Sequence, residues 1–477
     1  MRKYTAFLLA MMLLASSASC GSDAPAADDT TSAGESETTA AETHILDAMG
    51  EKDFGGKTYT ILDANDYPDT SRNMPSDEMA GEVLNDALAK RDSTIEDRYN
   101  VNIEYLPYTP AKDGIAAFTT AFLAGDKMAE LIITRASSAM PQLGADHMLH
   151  DLNALPHMEL DQPWWSGLMN ENLALKGKLY FTTGDISPSM YQSQCVMLVN
   201  TNLLDKYNID TDYYALVREG KWTLDQVIEF TKLSQDVNGD NVMHTSEDFF
   251  GFVGDTTGSA LSAMAFVTGA GVTTSIIEND TIVMTELFDE KLVNVLEKLG
   301  KIAAKERFAD RRDYINRAFK EDRAISIQTY MGSVITSLRD MESDYMVLPM
   351  PKYDEAQEDY RTLANGWCCC FVGIPADADK ELAGFITEAM GHLSYNEVRS
   401  SAYDMILKQK AVRDEEGCEM IDLIWSSLYM DFMSVSEFGG IPTVIGNAMY
   451  KGSELASALE ARRSAAQTAI DTLAASW

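Results

Sequence analysis

Short strands and apolar-striped helices follow one another strictly from Lys57 to Thr134, and that rhythm restricts the fold more than any other feature of the chain. Residues 57–62 alternate polar and apolar side chains, as a half-buried strand does. A polar loop, 63–75, leads into a helix expected over 77–99, with Met79, Val83, Leu84, Ala87, Leu88 and Ile95 on one stripe. Residues 101–105 read as a strand, 114–124 as a helix carrying Ile115, Phe118 and Phe122, and 130–134 as another strand. Such alternation predicts βαβ units and an α/β fold with mainly parallel sheets flanked by helices. In open sheets of that kind, ligands bind beyond the carboxyl ends of the strands. The style continues with a strand at 195–200, a helix at 224–233 capped by Thr223, and an amphipathic helix at 292–305. A strand at 324–328, a buried strand at 368–374 and a largely helical tail beyond Ala378 complete it.

The start of the chain obeys other rules. Arg2 and Lys3 precede an apolar run from Ala6 to Ala15, small residues follow, and then come Cys20, Gly21 and Ser22. The run is too short to span a bilayer and reads as an export signal over 1–19. A cysteine at that point is the acylated first residue of a mature bacterial lipoprotein, and two chains anchor where one holds only marginally. Residues 20–51 are Ser, Thr, Ala, Asp and Glu with little to bury, which predicts a disordered acidic tether. The expected location is therefore the outer face of the cytoplasmic membrane, through the lipid anchor.

At 477 residues the chain exceeds one compact core, so two lobes are expected. A net charge of −36 argues against nucleic acid and is compatible with small neutral or cationic ligands. Of the five cysteines left after Cys20, three form the run Cys368, Cys369, Cys370. In a strand the middle one faces away from the others, and all three read as buried apolar residues.

Several stretches resemble the large extracellular solute-binding lipoproteins of ABC importers, of the carbohydrate-uptake type related to maltose-binding protein. They are Gly55 to Leu62, Glu78 to Ala87, Gln162-Pro163-Trp164-Trp165, Gly177 to Ile186, Val347 to Tyr353 and Gly373-Ile374-Pro375. The resemblance implies a two-lobed periplasmic-binding-protein fold of type II, closing on a solute about a hinge. It places 57–184 and 371–410 in lobe one, 185–366 and 411–477 in lobe two, and Trp367 at a crossover near the cleft. It also implies capture of a solute, an oligosaccharide first, for a pair of ABC permease subunits, by a monomer without chemistry or a required cofactor.

Sugar sites stack ring faces on aromatics and hold hydroxyls with Asp, Asn and Arg. The candidates are Asp66 and Tyr67 in the loop after the first strand, Arg135, Trp164, Trp165, Asp185, Tyr191, Tyr330 and Trp367. Adjacent Trp164 and Trp165 cannot both face one way in an extended segment, so one of them is expected to be structural. Trp222 reads as a packing residue beside its helix cap.

A second local signal is the stretch from Asp236 to Asp248. Asp236, Asn238, Asp240, the Val242 carbonyl and Glu247, or Asp248 in a longer loop, have the spacing of a structural calcium loop. Asn241 replaces the glycine usual at the sixth position, and His244 the oxygen ligand at the ninth. The glycines and Lys57 of 50–58 lie at the wrong spacing for a phosphate-binding loop and precede a strand. His147, His150 and His157 read as a solvated turn. The rival classes are an exported two-carboxylate glycosidase and a surface lipoprotein without a transport role.

Overall fold

Strand β1 (Lys57–Ala64) shows how the alternation becomes architecture. Tyr59 and Ile61 enter one apolar cluster, and Leu62 and Ala64 enter another on the opposite face. The computed structural model describes residues 44–68, 72–137, 139–243, 247–254, 260–303, 317–407, 415–451 and 455–477. The expected export signal, Cys20 and the tether up to residue 43 lie outside the described residues.

Parallel to β1 on either side run β2 (Val101–Tyr108) and β3 (Leu131–Arg135). Helices α1 (Val83–Tyr99) and α2 (Ala111–Ala124) connect them. The sheet closes with β11 (Cys370–Gly373), antiparallel to β3, so a strand from far along the chain completes it. The predicted helix at 77–99 begins late. Gly81 adopts φ +93, which separates a short turn at Asp77–Met79 from α1, and Val83 is exposed.

The second sheet contains β4 (Cys195–Asn200), β5 (Phe250–Val253), β8 (Ala324–Tyr330) and β9 (Tyr345–Leu348), in the order β5-β8-β4-β9. Here the expectation of mainly parallel pairing fails. Only β5 and β8 are parallel, while β4 is antiparallel to both β8 and β9. The cause is the route of the chain. It passes from the first sheet through residues 185–194 and enters β4 at the edge where β8 ends, Cys195 opposite Tyr330. A small hairpin, β6 (Ser275–Glu278) and β7 (Thr281–Met284), and a short parallel pair, β10 (Thr362–Leu363) with β12 (Leu428–Tyr429), stand apart.

One further expectation needs correction. The tether is expected to run to residue 51, yet Ile45–Met49 forms a helical turn with Leu46 fully buried. The last helix, Leu455–Ser476, packs mainly on Phe438–Gly440 and Ile441–Lys451, and its end also delivers Trp477 onto Tyr180 and Phe181, at ring distances of 5.0 and 6.0 Å. The largest apolar cluster likewise joins Leu62, Ile132 and Phe371 of the first sheet with Met197, Val199 and Ile325 of the second. Residues 45–477 form one compact unit built on two sheets with a shared core.

The buried strand expected from 368 starts at Cys370, and Cys368 stands in the turn before it, so strand alternation does not extend over the whole cysteine run. Cys369 and Cys370 enter different clusters, Cys368 Sγ accepts the Asn365 side-chain amide N–H at 3.3 Å, all three are buried, and burial pushes Cys369 up to about 12. Trp222 is fully buried and its indole N–H donates to the Pro349 carbonyl. Among the described residues no helix is long and apolar enough to cross a membrane.

Candidate functional site

Register brings the central residues together. Ala64 at the end of β1 lies beside Thr134 of β3, and Arg135 at the end of β3 pairs with Cys370 at the start of β11. The loop after β1, the end of β3 and the approach to β11 therefore meet at one corner. Asp66 comes from the first, Arg135 from the second and Trp367 from the third.

The three residues form one constellation. An Arg135 Nη1 lies 2.7 Å from Asp66 Oδ2, and the Arg135 guanidinium sits 4.3 Å from the centre of the Trp367 ring. Asp66 Oδ1 accepts the Ala111 N–H at 2.8 Å, in the first turn of α2, so the carboxylate is fixed by a helix N-terminus as well as by its ion pair. Both charged side chains are mostly buried, whereas Trp367 is 41% exposed and Tyr67 36%. An arginine stacked on an open indole gives a flat apolar face edged by fixed donors and acceptors.

Crossing segments form the floor of this corner. Asn365 N–H donates to the Ser193 carbonyl, Ser137 N–H to Gly366 and Ala136 N–H to Cys369. The Trp367 N–H is held by Asn365 Oδ1. Trp367 thus lies where the segments around Ser137, Ser193 and Asn365 meet. Tyr330 ends β8 on the second sheet, and its ring lies over Gly332, where a Cβ would come within 2.8 Å of it.

Sequence reasoning missed Glu437. Its backbone is left-handed at φ +48, and desolvation raises its pKa, opposed by the Arg135 charge. The only hint in the sequence is the Gly439-Gly440 pair just beyond, which marks a turn.

Four candidates belong elsewhere. Trp164 and Trp165 are both structural: their indole N–H groups donate to the two oxygens of one carboxylate, Glu388, at 2.9 and 3.0 Å. Glycine makes this approach feasible. A Cβ on Gly184 would stand 2.0 Å from the Trp164 carbonyl, and one on Gly391 would stand 2.8 Å from the Trp164 ring. Burial raises the Glu388 pKa, and the two indole donors oppose the rise. Asp185 is sealed within the first crossover, and its Oδ1 has no partner among the described residues. Burial pushes its pKa up to about 7, against the pull of Arg399. Tyr191 is buried with its ring 4.2 Å from that of Trp425. Burial likewise carries Asp63 to about 7, with Asn73 as its hydrogen-bond partner.

The described parts of the acidic loop, 236–243 and 247–248, are tied together by hydrogen bonds. Asp236 accepts the N–H groups of Gly239 and Asn241, Asn238 Oδ1 that of Asp240, and Asp240 that of Val242. Asn238 donates to Glu247, and Asp248 is buried and accepts the Val237 N–H. Asn241 supplies the left-handed residue, φ +64, where glycine is usual. His244 lies outside the described residues. No group of three or more His, Cys, Asp or Glu side chains converges as a metal site among the described residues. The histidines do not gather either, since His157 pairs with Glu381 on another element.

No protein-family model matches the chain, and no curated protein does. Solved structures do match. An ABC substrate-binding protein from Listeria monocytogenes, in complex with cycloalternan, is 13% identical and superposes with a TM-score of 0.56 over 87% of this chain and 99% of its own. A maltose/maltodextrin-binding MalE domain from Bdellovibrio bacteriovorus, bound to maltotriose, gives 13%, 0.56, 87% and 100%. UgpB from Mycobacterium tuberculosis, in complex with glycerophosphocholine, gives 13%, 0.57, 87% and 98%. The chain has the fold of these solute-binding proteins across nearly their whole length.

Proposed function

We propose that this chain is the substrate-binding component of an ABC importer, capturing a polar solute, best an oligosaccharide, and passing it to membrane permease subunits. The observation that carries the reading is the exposed Trp367 ring backed by Arg135 and Asp66, at the carboxyl ends of β1 and β3. An open aromatic face edged by fixed polar groups suits a sugar ring, whose faces are apolar and whose rim is hydroxylated. Proteins of the same fold bind cycloalternan, maltotriose and glycerophosphocholine, which supports a saccharide or a polar solute of similar size.

The reading includes no chemistry. A glycosidase needs an accessible acid of raised pKa facing a second carboxylate. Asp63, Asp185 and Glu388 are raised but sealed, and Asp66 is tied to Arg135. Among the described residues, Glu437 alone of the raised carboxylates is partly accessible, so it is where the enzyme alternative would be tested. Cys20 would carry the acyl chains that keep the receptor at the outer face of the membrane, beside its permease. In the same reading the loop 236–248 holds a structural calcium ion. Carboxylates that each accept a few amide N–H groups retain lone pairs for a cation.

The test is a thermal-shift and calorimetric panel on the full chain with neutral and charged oligosaccharides, polyols and glycerophosphodiesters, assayed also for new reducing ends. A saturable shift with one solute class and no turnover is expected. No shift with any member, or turnover abolished by Glu437→Gln, would overturn the reading.

A further inference from the structure

Acidic residues outnumber basic ones 74 to 38 in this chain, so a guanidinium without a partner is the exception. Among the described residues Arg91, Arg98, Arg135, Arg218, Arg317, Arg323 and Arg463 are in ion pairs, Arg361 is hydrogen-bonded, and Arg399 lies over aromatic rings. Arg72, Arg339 and Arg462 have no hydrogen bond, ion pair or ring contact among the described residues. Arg462 stands on the exposed side of the last helix. Arg72 and Arg339 are different, because both line one cavity of about 180 Å³.

Arg72 comes from the loop that follows β1, and Arg339 from the turns beyond the helix Met331–Ile335 that follows β8. The cavity therefore lies between the strand ends of the two sheets. Gln192 of the first crossover lines it too, is only 5% exposed, and leaves its Oε1 without a hydrogen-bond partner. A buried carbonyl oxygen in that state is left short of a donor. Asn85 and the Thr336 hydroxyl add polar lining, and Glu82 adds one carboxylate. Among the described residues that line the cavity, two guanidiniums against one carboxylate leave a single positive charge to be balanced.

We propose that this cavity is an anion subsite of the solute cleft, and that the solute is a saccharide bearing an oxyanion, either a carboxylate or a sulfate ester. The inference rests on the solute-binding reading and narrows its ligand. Arg72 and Arg339 supply planar forks for the oxyanion, which suits them better than lysine would be suited. A turn of the Gln192 side chain would bring its Oε1 to a hydroxyl of the same sugar residue. At roughly 30 Å³ per water the volume holds about six waters, which is room for one acidic residue with the rest of the ligand outside.

The experiment is titration calorimetry of the full chain with trigalacturonate, a sulfated chondroitin disaccharide and maltotriose, at low and high sodium chloride. Wild type is compared with Arg72→Gln, Arg339→Gln and, as control, Arg462→Gln. The arginines lack partners among the described residues, so all three variants should keep the wild-type Tm, which separates loss of binding from loss of fold. The expected result is that one of the two acids binds more tightly than maltotriose and weakens with salt. It should lose on the order of tenfold in each cavity variant and nothing in Arg462→Gln. Which acid binds distinguishes carboxylate from sulfate. If maltotriose binds as tightly as the acids and the cavity variants are indifferent, the subsite is wrong and the solute-binding reading stands. If none of the three binds, the subsite is again wrong, and the broader solute panel decides the reading separately.

Discussion

Two tryptophan sites in this molecule look alike in sequence and do opposite things. At Trp164-Trp165 both indoles turn inward, pack against the helix Lys380–Leu393 and satisfy their N–H groups on Glu388. At Trp367 the ring stays open to solvent with Arg135 behind it. The difference lies in the partner rather than in the aromatic residue. A buried carboxylate that takes both donors consumes the pair as structure, whereas a guanidinium stacked on one face leaves the other face free.

The largest effect that would break this contrast is Glu388→Ala. It strands two buried indole donors and opens a gap, so it should destabilise the protein by about 3 kcal/mol or more in urea unfolding. Solute affinity of the folded fraction should not change. A loss of affinity with stability intact would move the Trp pair back into the binding site.

Next in size is a pH effect that separates the sealed carboxylates from the open corner. Burial raises Asp63 and Asp185 from 3.8 to about 7. The folded state binds the proton more tightly than the unfolded chain, so each contribution is complete below about pH 4 and is lost as pH rises to about 7. Stability of wild type relative to Asp63→Asn or Asp185→Asn should therefore fall by on the order of a few kcal/mol across that window. A flat difference would mean that these groups stay ionised and reach solvent.

Trp367→Ala is the converse of Glu388→Ala. Affinity for the solute should drop about tenfold, as expected for one lost stacking face, while Tm stays within a degree or two. The smallest expected effect is at the acidic loop. Calcium should raise Tm by a few degrees over a chelator in wild type and not in Asp236→Asn, measured by scanning calorimetry.

What the sequence made legible follows period and register. The alternation in 57–134 is visible because each strand of the first sheet buries two different faces, and it places Asp66 and Arg135 at strand ends. The antiparallel pairing of β4 was hidden, because an apolar run such as Cys195–Asn200, buried throughout, reads identically in either direction. Trp164 and Trp165 were misplaced for a related reason. Glu388 lies more than two hundred residues away, and nothing local shows that a carboxylate on a helix will receive both indoles. Glu437 and Gln192 were missed because their roles depend on desolvation and on an unmet hydrogen bond, which exist only once the chain has closed.

Hydrogen exchange on the full chain, with and without the solute that gives the largest thermal shift, tests the central claim most directly. Binding at the junction should slow exchange together in three separated stretches, 65–68, 135–137 and 364–369, and leave 164–166 unchanged. Protection confined to other parts of the surface, or to a single one of these stretches, would contradict capture between the two sheets.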